Sequence, residues 1–167
     1  EKHLQTLEKV CAAVGDVADI LRFGDDLGTD QGPFMSPQTY RKLFKPRHKI
    51  LTEYVKQHSP MHTFLHSCGS IYRLLPDLID AGYEIINPVQ TNSRDMQPER
   101  LKREFGRDLT FWGGGCDTRQ VLNRGTPAQV KEDVRRNIDI LAPGGGYIFS
   151  SGHNVQANMS PENLLAF

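Results

Sequence analysis

The 167-residue sequence predicts an α/β fold built on a parallel sheet. Three observations lead there. Short apolar runs alternate with segments of helical period along the chain. Helical segments open on a cap residue followed by proline and close on glycine. No G-x-G-x-x-G follows the first apolar run, which weakens a dinucleotide-binding version of such a fold. Strict strand–helix alternation implies right-handed crossovers between parallel neighbours. An open doubly wound sheet and a barrel both satisfy the pattern.

Leu4, Leu7, Val10, Cys11 and Val14 recur at helical spacing, and Gly15 ends that helix. Val17–Phe23 is the first strand, followed by the polar turn Gly24–Gly28. Ser36-Pro37 starts a helix to about Gln57, which Pro46 should kink or split. Met61–His66 is the second strand. Ile71–Ala81 is a helix closed by Gly82. Glu84–Asn87 is a strand stopped by Pro88. Pro98–Phe105 is a helix closed by Gly106. Leu109–Trp112 is a strand entering Gly113-Gly114-Gly115. Thr126-Pro127 caps a helix to Leu141. Gly144-Gly145-Gly146 forms a tight turn into the last strand, Tyr147–Ser150. The five strands are expected to be parallel neighbours in this order, with the helices outside.

A complete (β/α)8 barrel takes about 250 residues, so five units amount to the later part of one. Both ends look cut. Glu1 lies inside a helix pattern, and Phe167 follows closely on the helix start Ser160-Pro161-Glu162. The expectation is a piece of a larger protein, a single domain over 1–167. An open arc would expose barrel-interior residues and two strand edges, so homo-oligomeric association of the isolated chain is expected.

Lysine plus arginine and aspartate plus glutamate each number 20, which argues against a nucleic-acid surface. No apolar run approaches the ~18 residues of a membrane span. Three widely spaced cysteines argue for a reduced, cytoplasmic protein rather than a disulfide framework.

In parallel βα folds the chemistry gathers at the carboxyl ends of the strands. Those ends here carry Asp25-Asp26, His66-Ser67-Cys68, Asn87 to Gln90, Cys116-Asp117 and His153. His66 and Cys68, two apart, share one face of a strand and supply two usual zinc donors. The plain alternative is a core cysteine beside a satisfied histidine. Cys116, after three glycines, is either a ligand or a small buried residue. His153 is a ligand, a general acid or a helix neighbour. Asp26 and Asp117 are candidate catalytic carboxylates, or caps. Asp25, Asn87 and Gln90 are candidate substrate-binding groups. His3, His48 and His58 are expected to be solvated, and His62 to be structural.

Several segments resemble the uroporphyrinogen decarboxylase superfamily. They are Gly24-Asp25-Asp26-Leu27-Gly28-Thr29 with Gly32-Pro33 and Ser36-Pro37; His66-Ser67-Cys68-Gly69; Gly113-Gly114-Gly115-Cys116-Asp117-Thr118; Gly125-Thr126-Pro127; Ala142-Pro143-Gly144-Gly145-Gly146-Tyr147; and Ser160-Pro161-Glu162-Asn163. The resemblance implies a (β/α)8 barrel of TIM type with its site at the carboxyl face. It also implies one of two chemistries. True decarboxylases act on uroporphyrinogen in porphyrin biosynthesis without a cofactor. The methyltransferase branch moves methyl groups between a corrinoid (methylcobalamin-type) cofactor on a partner protein and a thiol or similar acceptor. Its thiol-using members bind zinc through H-x-C and a later cysteine.

His66-Ser67-Cys68 resembles that zinc motif. The later cysteine's place is taken by His153 of Gly152-His153, with Cys116 as the competing ligand. Gly152-His153 also resembles the Gly-His-Gly of the decarboxylases, whereas Asp26 stands where that branch carries serine. The methyltransferase reading is favoured, with decarboxylation as the alternative and a non-catalytic barrel as a third.

Overall fold

The computed structural model describes residues 2–167. Helix α1 (Lys2–Val14) precedes strand β1 (Ile20–Gly24). A small hairpin follows, β2 (Gly28–Thr29) and β3 (Gly32–Pro33). Then come α2 (Pro37–Leu43), α3 (Lys45–His58) and β4 (His62–His66). A 3-10 turn (Tyr72–Leu74) leads into α4 (Leu75–Asp80), and β5 (Ile85–Asn87), α5 (Pro98–Phe105), β6 (Thr110–Trp112), α6 (Pro127–Leu141), β7 (Tyr147–Ile148) and α7 (Pro161–Ala166) complete the chain.

The principal sheet has five strands in the order β1-β4-β5-β6-β7, and every pairing is parallel. Spatial order therefore equals chain order. A doubly wound sheet reverses direction at a switch point, so the barrel-type alternative is the one realised.

Three local expectations shift. Val14 O accepts from the amides of Val17 and Ala18, closing a turn that leaves Val17 exposed and delays the first strand to Ile20. The helix expected from Pro37 to about Gln57 is split as expected, but the break falls at Phe44, two residues before Pro46. Pro46 lies in the first turn of α3, where a missing N–H costs nothing, and Phe44 caps α2. The hairpin β2–β3 has no counterpart in the strand pattern, because two residues per arm are too few to show alternation.

The register settles which side chains face which way. Leu65, Ile86 and Phe111 are fully buried on the outer face, against Leu78, Leu101 and Leu141 of the helix layer. Each such side chain contributes about 1.5–3 kcal/mol by its burial. Residues one step along point to the inner face. There Arg22, Phe64, Ile85 and Thr110 form one row. Gly24, His66 and Asn87 form the next row, at the carboxyl edge, with Trp112 and Ile148 paired beyond them. Phe64 meets Trp112 edge-on across this face, with ring centroids 5.3 Å apart.

Candidate functional site

The carboxyl edge of β1 and β4 brings three potential metal donors together. One ligand atom from each of Asp26, His66 and Cys68 lies within 4.8 Å of the other two. His66 Nε2 is 3.6 Å from Cys68 Sγ. The carboxylate of Asp26 accepts the Cys68 amide N–H at 2.9 Å, so the two strand ends are stitched at the ligands themselves. Alternation explains the convergence. Gly24 and Asp26 fall on the same side of their chain, as do His66 and Cys68.

The loop after β4 is held by its neighbours. Ser67 Oγ accepts the Leu27 amide at 3.0 Å, and Ser70 donates its amide to Thr29 O at 2.7 Å. Gly69 has φ +77°, and a Cβ there would sit 2.7 Å from the backbone of Gly28. Only glycine lets the hairpin lie against this loop. Gln90 Oε1 accepts the Gly69 N–H and so braces the loop.

Asn87 bridges the inner face. Its Oδ1 is 2.7 Å from His66 Nδ1, and its Nδ2 donates to Trp112 O at 3.0 Å. Asp25, expected to bind substrate, turns to the helix layer instead. Its carboxylate meets His48 Nε2 at 3.1 Å, and His48 Nδ1 lies 2.9 Å from the Tyr40 hydroxyl. His48 is thus buried rather than solvated, against expectation. Burial pushes its pKa down, partly offset by Asp25. His62 is exposed, 3.4 Å from Glu84 Oε1.

The remaining candidates do not join the cluster. Cys116 is buried among Leu122, Val130 and Val134 on the helix side. Burial pushes its thiol far up, with Asp133 adding to the shift. Asp117 Oδ1 accepts from the amides of Arg119 and Gln120 and from Asn92 Nδ2, which is a capping role. His153 lines a separate polar cleft with Gln90, Arg119 and Arg124. Arg119 grips the hairpin tip through a two-pronged ion pair with Asp30, at 2.6 and 2.7 Å.

The donor set suits zinc. Imidazole nitrogen, thiolate sulfur and carboxylate oxygen are its usual ligands, and three of them leave one position open. Ligand atoms on one tetrahedral zinc stand about 3.5 Å apart, given bonds of about 2.0–2.3 Å, and the Cys68–His66 separation is already of that size. Cys68 lies with its thiol pushed up by burial and by the Asp26 carboxylate, so without a cation its sulfur keeps its proton.

The sequence profile described as Uroporphyrinogen decarboxylase (URO-D) matches residues 5–167. The chain belongs to that family. No curated protein matches it significantly. Among solved structures it is similar to a methyltransferase from Methanosarcina mazei, with 21% sequence identity and a TM-score of 0.72. The match covers 98% of this chain and 44% of that one, so this URO-D chain spans less than half the length of that structure. Its five-stranded parallel sheet with flanking helices corresponds to part of a TIM-type barrel. No helix of this family member, among the described residues, is long and apolar enough to cross a membrane.

Proposed function

We propose that the chain carries the metal-binding side of a methyltransferase active site. The enzyme moves a methyl group between a corrinoid held by a partner protein and a thiol or similar small acceptor. One observation carries the reading: Asp26, His66 and Cys68 converge at the carboxyl rim with zinc-type chemistry. Zinc held there would act as a Lewis acid that keeps an acceptor thiol ionised at neutral pH. The residues' own part is to present three donors on two adjacent strand ends. The hydrogen bond from the Cys68 amide to the Asp26 carboxylate keeps those ends in register. The ligand set expected from the resemblance is revised, with Asp26 in the place given to His153 or Cys116. The three cysteines are unpaired, which fits a reducing cytoplasm.

The cleft of His153, Arg119 and Arg124 favours a second reading. With Arg119 held by Asp30, Arg124 is the cation left to meet a substrate carboxylate, as a porphyrinogen carries, and His153 would position or protonate a pyrrole side chain. Elemental analysis of the full-length protein, paired with assays of both reactions, separates the two. The methyltransferase reading expects about one zinc per chain, loss of that zinc in Cys68→Ala, and methyl transfer to a thiol. Zinc content that does not depend on Cys68, together with porphyrinogen turnover, overturns it. No metal and no turnover leaves the non-catalytic barrel.

A further inference from the structure

The bond network behind His66 has a single consistent assignment of protons. Trp112 O is a backbone carbonyl and can only accept, so the group of Asn87 that lies 3.0 Å from it must be the amide NH2. The other end of the same side chain is then the amide oxygen, which also can only accept. It stands 2.7 Å from His66 Nδ1. That ring nitrogen must therefore carry the hydrogen. In a neutral imidazole with Nδ1 protonated, Nε2 holds the lone pair. Nε2 is the nitrogen that faces Cys68, at 3.6 Å.

We propose that Asn87 is a positioning residue that locks His66 in the Nδ1–H tautomer, aiming the Nε2 lone pair at the point shared with Cys68 and Asp26. This replaces the substrate-binding role expected for Asn87. Its metal consequence rests on the reading of His66 as a ligand; the tautomer lock itself does not.

The register makes the device specific. His66 and Asn87 are direct partners on β4 and β5, and Trp112 ends the next strand. One short amide thus spans three consecutive strands on the inner face, with its orientation dictated by a main-chain carbonyl that cannot rotate away. A ring free to flip would spend part of its time with an N–H directed at the cation. Partners of this kind, one bond behind the ligand, commonly change metal affinity by about 10–100-fold.

The test uses the full-length protein. Long-range proton–nitrogen NMR on 15N-histidine-labelled, metal-free protein at pH 8 reads the His66 tautomer directly. Wild type is expected to show Nδ1–H. Asn87→Leu, which has no acceptor, is expected to shift His66 to a tautomer mixture and to weaken zinc binding at least tenfold in a chelator competition. Asn87→Asp keeps an acceptor opposite Nδ1 and is expected to retain the Nδ1–H tautomer. That rescue separates the lock from mere packing, and circular dichroism confirms that each variant is folded. An Nε2–H tautomer in wild type overturns the proposal, as does an unchanged tautomer in a folded Asn87→Leu. Wild type that shows Nδ1–H but binds no zinc keeps the lock and overturns the metal reading instead.

Discussion

The two ends of the carboxyl rim use the same residue types for opposite purposes. At β1 and β4, an aspartate, a histidine and a cysteine point to one place on the inner face. Beyond β6 and β7, an aspartate, a histidine and a cysteine lie four or five residues past the strand ends and do not form such a cluster. The difference is which side of the sheet each residue falls on. Cys68 sits two residues beyond His66, in phase with the inner row. Cys116 follows three glycines, of which Gly113 and Gly114 have positive φ, so strand alternation no longer governs it. It packs outward on Leu122 and Val130. Proximity to a strand end is therefore a weak sign of convergence; phase with the inner row is a strong one.

Exchanging the two cysteines for alanine breaks this comparison most sharply. Cys68→Ala removes a half-exposed donor and is expected to reduce bound zinc at least tenfold, with little change in Tm. Cys116→Ala empties a buried site and is expected to leave zinc intact while costing about 1–2 kcal/mol of stability. Metal analysis and thermal melts on both variants measure the contrast. Loss of zinc in Cys116→Ala would show that the two ends act together and would undo the distinction.

Much of this was legible in the sequence. The βα alternation specified five strands and their order, and the H-x-C spacing placed His66 and Cys68 on one face. Asp26 was visible by the same rule. Gly24 is the last residue of β1, and Asp26 lies in phase with it, toward the row that holds His66. What obscured it was its neighbour. Two adjacent aspartates read as a turn cap, and only the outward Asp25–His48 contact shows that they part company. The burial of His48 was not legible. It depends on how α3 docks over Tyr83 and Tyr40, a packing of elements distant in sequence. Gly152-His153 carried a family pattern, but no periodicity said which cleft the ring would enter.

The aspartates give a second, smaller contrast. Asp117 accepts two main-chain amides and one side-chain amide, so Asp117→Ala is expected to cost about 0.5–2 kcal/mol, the usual worth of a cap. Zinc content should not move. Asp26→Ala is expected to lower zinc affinity while leaving the cap-free loop after β4 with an unpaired Cys68 amide. A chemical denaturation series with parallel metal titration reads both. Equal effects of the two substitutions on zinc affinity would erase the difference drawn between the rims.

The smallest expected effect lies behind the first rim, in the Asp25–His48–Tyr40 chain. Burial lowers the His48 pKa below its ordinary value, and the nearby Asp25 carboxylate only partly restores it. The unfolded chain, with histidine near pH 6.5, then binds more protons than the folded one between the folded pKa and that value. The stability tied to neutral His48 is accordingly complete above about pH 6.5 and is lost as pH falls through the window below it. Thermal melts of the zinc-free protein from pH 7.5 to 5.0 should show wild type losing Tm more steeply than His48→Gln, which has no proton to gain. Asp25 keeps its turn through the hydrogen bond its own main-chain N–H donates to His66 O, so the variant is expected to fold. Parallel slopes in the two proteins would mean that the chain of bonds from Tyr40 to Asp25 holds His48 equally well in either charge state. The support beneath the first rim would then owe nothing to the exclusion of water around that ring.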